Sequence, residues 1–96
     1  MPKLPVLADH EIDRRLAVLS EWMRQGDAIT RTFRFAGFPE ATAFVQQLVE
    51  PAEGINHHPD VDVRYDRVII TLSTHESGGL TENDFALAEQ IDRLVG

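Results

Sequence analysis

The stretch Val61-Asp62-Val63-Arg64-Tyr65-Asp66-Arg67-Val68-Ile69-Ile70-Thr71-Leu72-Ser73-Thr74-His75 reads as two β-strands folded about a tight turn. With Asp66-Arg67 as the turn, Tyr65 faces Val68, Val63 faces Ile70 and Val61 faces Leu72. Those six apolar or aromatic residues share one face. The other face carries Asp60, Asp62, Arg64, Ile69, Thr71 and Ser73. Such segregation is what a sheet covered by helices on one side requires, and a slip of one residue would destroy it. The same register predicts His58 directly opposite His75 on the polar face, where opposed Cβ atoms lie about 4.5–5.5 Å apart. Pro59 cannot donate to the ladder, and a bulge there would bring His57 toward His75 instead.

Upstream, Asp9 is placed to cap a first helix whose apolar stripe is Ile12, Leu16 and Leu19, with His10 at the surface of its first turn. Trp22 to Gln25 and Ala28 to Phe35 flank Gly26-Asp27, which predicts a hairpin with Ile29, Phe33 and Phe35 on one face. Arg31 interrupts that face, and its stem is expected to snorkel toward an edge. A second helix is predicted just after Gly37-Phe38, with Pro39 at its first position and Ala41, Val45, Leu48, Val49 and Ala52 as its inner face. Pro51 should kink or stop it near Glu50. Ser77-Gly78-Gly79 then leads to Thr81-Glu82-Asn83-Asp84, a cap with an acidic first turn, before Leu87, Ala88, Ile91, Leu94 and Val95. The predicted order is α-β-β-α-β-β-α, an α+β fold in one domain over residues 1–96.

At 96 residues the chain is near the lower end of what buries a self-sufficient core, so association into a homodimer or homotetramer is expected to help it. Nine basic against sixteen acidic residues give a net charge of −7, which argues against nucleic acid or an anionic membrane as the main partner. Cysteine is absent, which excludes a disulfide framework and a thiol nucleophile and suits a cytoplasmic protein. Met1-Pro2-Lys3-Leu4-Pro5 is followed by no long apolar run, so neither a leader nor a membrane span is expected.

Three of the four histidines, His57, His58 and His75, bracket the quoted hairpin. Imidazole gives and takes protons near neutral pH, so three of them converging on a polar sheet face suggest acid–base chemistry. Glu53-x-x-x-His57-His58-Pro59, Tyr65, Ile70-Thr71-Leu72-Ser73-Thr74-His75-Glu76, Gly79-Leu80-Thr81 and Asp84 together resemble the signature of the pterin-4a-carbinolamine dehydratases. Trp22, Gly26-Asp27-Ala28-Ile29 and Phe33-Arg34-Phe35 extend the likeness over nearly the whole chain.

That resemblance implies a four-stranded antiparallel sheet with helices packed on one face, matching the order read above. It also implies an enzyme that needs no cofactor and dehydrates 4a-hydroxytetrahydropterin to quinonoid dihydropterin. The reaction belongs to tetrahydrobiopterin recycling, in a pathway shared with an aromatic amino-acid hydroxylase. His57 and His75 would then transfer protons, in an order the sequence leaves open, and His58 would chiefly orient the substrate. Glu53, Pro59, Asp60, Ser73, Thr74 and Asp84 complete the expected substrate-binding set; within it Glu53 and Asp84 would orient or polarise the histidines, with helix capping as a second reading of Asp84.

Val61 and Asn83 depart from the aromatic residue and the arginine found in many relatives, and Pro51 is a smaller departure. Two other functions compete with catalysis. One is a metal site built from the three histidines with Glu53 or Asp60, against which adjacent His57 and His58 point to opposite sides of an extended chain. The other is a non-catalytic interaction or dimerisation-cofactor module. Trp22, Phe33, Phe35, Phe38 and Phe44 read as core or subunit interface.

Overall fold

The protein is described here by a computed structural model covering residues 3–96. Met1 and Pro2, the start of the stretch read for a leader, lie outside the described residues. In chain order the elements are α1 (Asp9–Val18), β1 (Met23–Gln25), β2 (Ala28–Arg34), α2 (Phe38–Gln47), α3 (Val49–Gly54), β3 (Asp60–Arg64), β4 (Arg67–Leu72), a 3-10 turn at His75–Ser77 and α4 (Glu82–Leu94). The strands form one antiparallel sheet in the order β1-β2-β4-β3. The order α-β-β-α-β-β-α predicted from sequence is the one observed, with the second helix divided in two.

The sheet's inner face is set by alternation. Ile29 and Phe33 on β2 and Val68, Ile70 and Leu72 on β4 are buried, and they join Phe44 of α2 and Leu87, Ala88 and Ile91 of α4 in one core. Gly26-Asp27 makes the first turn as expected, with Gly26 at φ 61°, a left-handed angle that favours glycine.

The quoted hairpin turns one residue earlier than predicted, which shifts its cross-strand pairing by two. Arg64 pairs with Arg67, Val63 with Val68 and Val61 with Ile70, so Tyr65-Asp66 is the turn and Tyr65 takes φ 54°. Phe35 N–H donates to the Asp66 carbonyl at 2.8 Å, so β2 holds the far side of that turn in place. A pairing shift of two preserves the side-chain period, and the residues that remain in the two strands keep their predicted faces. It does not preserve who faces whom. The expected opposition of His58 and His75 is lost, because the β3–β4 ladder begins at Asp60 and Thr71 and Thr74 pairs instead with Gly79. Tyr65 and Val61, predicted inside, are exposed; β3 is the sheet edge and the helices cover the centre.

Proline explains the divided helix. The break falls at Leu48 rather than near Glu50, and Pro51 occupies the first turn of α3, where a missing N–H costs nothing because that donor has no intrahelical partner. Val49, read as inner face, is turned outward by this break. Helix α1 begins at Asp9 itself, with Ala8 rather than Asp9 in the cap position. Ala8 O accepts the Glu11 and Ile12 N–H groups at 3.0 Å, and Asp9 is a helical residue that pairs with Arg24.

Arg31, on the inner strand β2, reaches a carboxylate of α4. Its Nη1 donates to Asp92 Oδ1 at 2.6 Å, and the same oxygen accepts Trp22 Nε1–H at 2.8 Å. The guanidinium also lies 4.2 Å from the Phe33 ring centroid. One α4 carboxylate thus ties β2 and the residue just before β1 to the helix layer. Asp92→Ala is expected to lower the unfolding free energy by about 1–3 kcal/mol in denaturant titrations, because it strands an indole donor and a half-buried cation.

Candidate active site

The chain leaves α3 through Ile55 and Asn56, and Asn56 at φ 51° supplies the left-handed step that turns it back. His57 N–H then donates to Ala52 O at 3.0 Å. This reversal sends consecutive histidines to opposite sides. His57 is 7% exposed, whereas His58 is an exposed residue.

Inside, His57 Nε2 lies 2.7 Å from Asp84 Oδ1. Asp84 is fully buried and its other oxygen, Oδ2, accepts Thr81 N–H at 2.9 Å and Thr74 Oγ1–H at 2.8 Å. The Thr81 contact is half of a capping box that starts α4, where the helix N-terminus favours a negative group. Asp84 therefore serves both readings the sequence left open. It caps the helix with one oxygen and holds a histidine with the other.

The donors in this network have one consistent direction. A carboxylate only accepts, so His57 carries its hydrogen on Nε2 and Thr74 gives its hydroxyl hydrogen to Asp84. Thr81 Oγ1, 2.7 Å from Thr74 Oγ1, then donates to Thr74 and accepts the Asn83 N–H. His57 Nδ1 is left with a lone pair or a second proton and has no hydrogen-bond partner among the described residues. No buried side-chain nitrogen or oxygen among them is unpartnered, so Nδ1 is the edge of the ring that reaches solvent. An imidazole held on one nitrogen and open on the other is arranged to exchange protons with a bound molecule.

His75 follows Thr74 directly and opens the 3-10 turn as an exposed residue. His57 and His75 are thus linked through one carboxylate and one threonine rather than across paired strands. His58 stands apart with Glu53, its Nε2 2.5 Å from Glu53 Oε2. Those two side chains border a groove of about 220 Å³, floored by Val45, Leu48, Val49 and Ala52 and closed by Pro59 and Val61. A larger hollow of about 650 Å³ between α2, α3 and the end of α4 holds none of the three histidines.

The remaining predicted residues divide by burial. Asp60 is exposed at the start of β3, and Ser73 Oγ donates to Asp27 O at 2.8 Å, which ties β4 to the first hairpin turn. Thr74 and Asp84 are buried with their side-chain oxygens bonded inside the protein, Asp84 directly to His57 and Thr74 to Asp84. Thr81 belongs to the same network and was read from sequence only as a cap. Its signal was the Thr81-x-x-Asp84 spacing, which gives the box but not the long-range Thr74 contact. Among the described residues, no group of three or more His, Asp or Glu side chains is placed to hold a metal ion.

Residues 5–94 match the family model for pterin 4 alpha carbinolamine dehydratase. A Chloroflexus aurantiacus protein provisionally named pterin-4-alpha-carbinolamine dehydratase is 50% identical over 93 residues, covering 97% of this chain and 100% of the relative. A similarly named protein of Thermomicrobium roseum is 49% identical over 89 residues, covering 93% and 96%. Among solved structures, a transcriptional coactivator/pterin dehydratase from Brucella melitensis superposes with a TM-score of 0.89 at 35% identity, covering 95% of this chain and 99% of that one. A pterin dehydratase-like protein identified as a RuBisCO assembly factor in the alpha-carboxysome gives a TM-score of 0.66 at 28% identity, covering 79% and 90%. With full-length matches at half identity, and the histidine, threonine and aspartate positions of the motif gathered around one buried carboxylate, the chain belongs to the pterin-4-alpha-carbinolamine dehydratase family.

Proposed function

We propose that this protein acts as a 4a-hydroxytetrahydropterin dehydratase, with 4a-hydroxytetrahydrobiopterin or a related pterin as substrate, in the recycling of tetrahydrobiopterin. The observation that carries this reading is the clamped imidazole of His57, held at Nε2 by Asp84 and open at Nδ1, beside the threonine that leads into His75. One of the two histidines takes the proton from N5 of the pterin. The other protonates the hydroxyl on C4a, the C–O bond breaks, and the electrons left by the N5 proton form the C4a–N5 double bond as water departs. The enzyme ends with one proton moved from acid to base, which exchange with water restores. The step is redox-neutral and forms no covalent intermediate.

His58 and Glu53, at the rim of the apolar groove, bind and orient the pterin in this scheme, and Pro59 and Asp60 flank them. His58→Ala is expected to raise KM by roughly tenfold, about 1.4 kcal/mol, with a smaller change in kcat. Steady-state kinetics on 4a-hydroxypterin made in situ measure both. The same assay tests the proposal itself, since wild type must produce quinonoid dihydropterin faster than buffer does. A chelator that abolished the activity would instead favour a metal-dependent reaction.

In this proposal the protein works as a homodimer or homotetramer in the cytoplasm. Support for association comes from the open outer edges of β1 and β3 and from the exposed side chains of Val49 and Val61. No helix among the described residues is long and apolar enough to cross a membrane. The structural likeness to an assembly factor favours a second reading, an interaction module. A folded wild type that leaves the hydroxypterin at its spontaneous rate would support that reading over the first.

A further inference from the structure

The extended segment ahead of α1 runs along the turn that carries His75. Leu7 N–H donates to Leu80 O at 2.8 Å, and Ser77 Oγ donates to the Leu4 carbonyl, also at 2.8 Å. Between these two bonds, Val6 lies on Gly79. A Cβ built at Gly79 would fall 3.0 Å from Val6 Cγ1 and 3.6 Å from Cγ2. Gly79 is buried and its φ is outside the left-handed region, so what limits a side chain there is space and not backbone angle: the exposed Val6 would have to give way by a few tenths of an ångström. On its inner side the turn is held by Thr74, whose N–H donates to Gly79 O at 3.1 Å and whose hydroxyl bonds Asp84. His75 therefore sits on a turn gripped from both sides, although its own ring has no hydrogen-bond partner among the described residues.

A single 3-10 turn with no side-chain cap has little stability of its own. Its position depends on what touches it. We propose that Leu4–Leu7 is a strap that positions His75 for proton transfer, with Val6 as its positioning residue. The proposal rests on the dehydratase reading above for the role of His75, and on geometry alone for the strap. The amino-terminal segment thus becomes part of the active-site scaffold. Its loss of register would displace a proton-transfer group without touching the His57–Asp84 pair.

The test is a size swap in the full chain. Gly79→Ala puts a methyl group against Val6 and is expected to lower kcat about three- to tenfold, since small displacements of a reacting group are costly, while KM stays within about twofold. Val6→Ala removes both γ-carbons and loosens the strap. The double variant V6A/G79A restores the contact with the volumes exchanged, and its kcat should lie closer to wild type than that of G79A. Amide hydrogen exchange over residues 75–79 gives a readout that needs no turnover. Exchange there should quicken by about tenfold in each single variant and slow again in the double, with the core unchanged. Ser77→Ala, which frees the Leu4 carbonyl, should quicken the same amides. Wild-type kcat and exchange in G79A, or a double variant no better than G79A, would overturn the strap. An inactive wild type would overturn the dehydratase reading, while the exchange pattern would still decide the strap.

Discussion

His75→Ala is expected to lower the rate of 4a-hydroxypterin dehydration by about 10²–10⁴-fold, the usual contribution of a well-placed acid or base. Because His75 is exposed and its ring has no partner among the described residues, its removal should change the unfolding free energy by no more than about 0.5 kcal/mol. His57→Ala should lose a similar factor in rate but behave differently in denaturant. It strands Asp84 Oδ1 in the core, and about 1–3 kcal/mol of stability should go with the activity. Comparing the two variants in the same rate and unfolding assays separates chemistry from folding. Unchanged rates in both, with wild type active, would remove the assigned roles and leave the enzyme.

Asp84 is expected to be the most damaging single position. Asp84→Ala deletes the acceptor for Thr81 N–H, Thr74 Oγ1–H and His57 Nε2–H together, all within a fully buried site. The loss should reach about 3–5 kcal/mol, in the range seen when a buried paired network is broken from one side. Asp84→Asn is the more informative change. If its carbonyl oxygen stays with the two donors at the helix start, its amide group faces His57 Nε2 and donates to it. The imidazole hydrogen must then move to Nδ1, and the outward lone pair is lost. This variant should keep most of its stability and lose at least about 10² in rate. Nitrogen-15 chemical shifts of the His57 ring would report the tautomer, and an unchanged Nε2–H form with full activity would contradict the assigned hydrogen-bond direction.

Much of the fold was legible because periodicity survives small errors. The predicted β3–β4 turn lies one residue late and its pairing is off by two, yet Val68, Ile70 and Leu72 remain inward, since a register shift of two leaves each strand side chain on its face. What a parity argument cannot carry is direct opposition, and so the predicted contact between His58 and His75 failed while the sheet succeeded. The fate of Val61 and Tyr65 shows a second limit. Alternation identifies a face, but only the strand order reveals that β3 is the edge and that nothing covers its outer half. Pro51 does mark a helix interruption, but the chain accommodates it in the first turn of a new helix, with the break at Leu48.

The site was legible in its parts more than in its wiring. The Thr81-x-x-Asp84 box was readable from local spacing because capping is a local interaction. Its use as the clamp for His57 depends on packing between elements far apart in sequence, which no local pattern encodes. Adjacent His57 and His58 were expected to point apart, and the turn at Asn56 shows how they do so, one into the core and one toward Glu53. The strap at Leu4–Leu7 had no signal beyond the small residue at Gly79, whose meaning needs Val6 in place.

The central claim is that histidines arranged around Asp84 speed the departure of water from a 4a-hydroxypterin. The most direct measurement forms that hydroxypterin in situ and follows its loss by absorbance with and without wild-type protein. The account predicts loss well above the spontaneous rate; loss at the buffer rate, from protein shown to be folded, would contradict it.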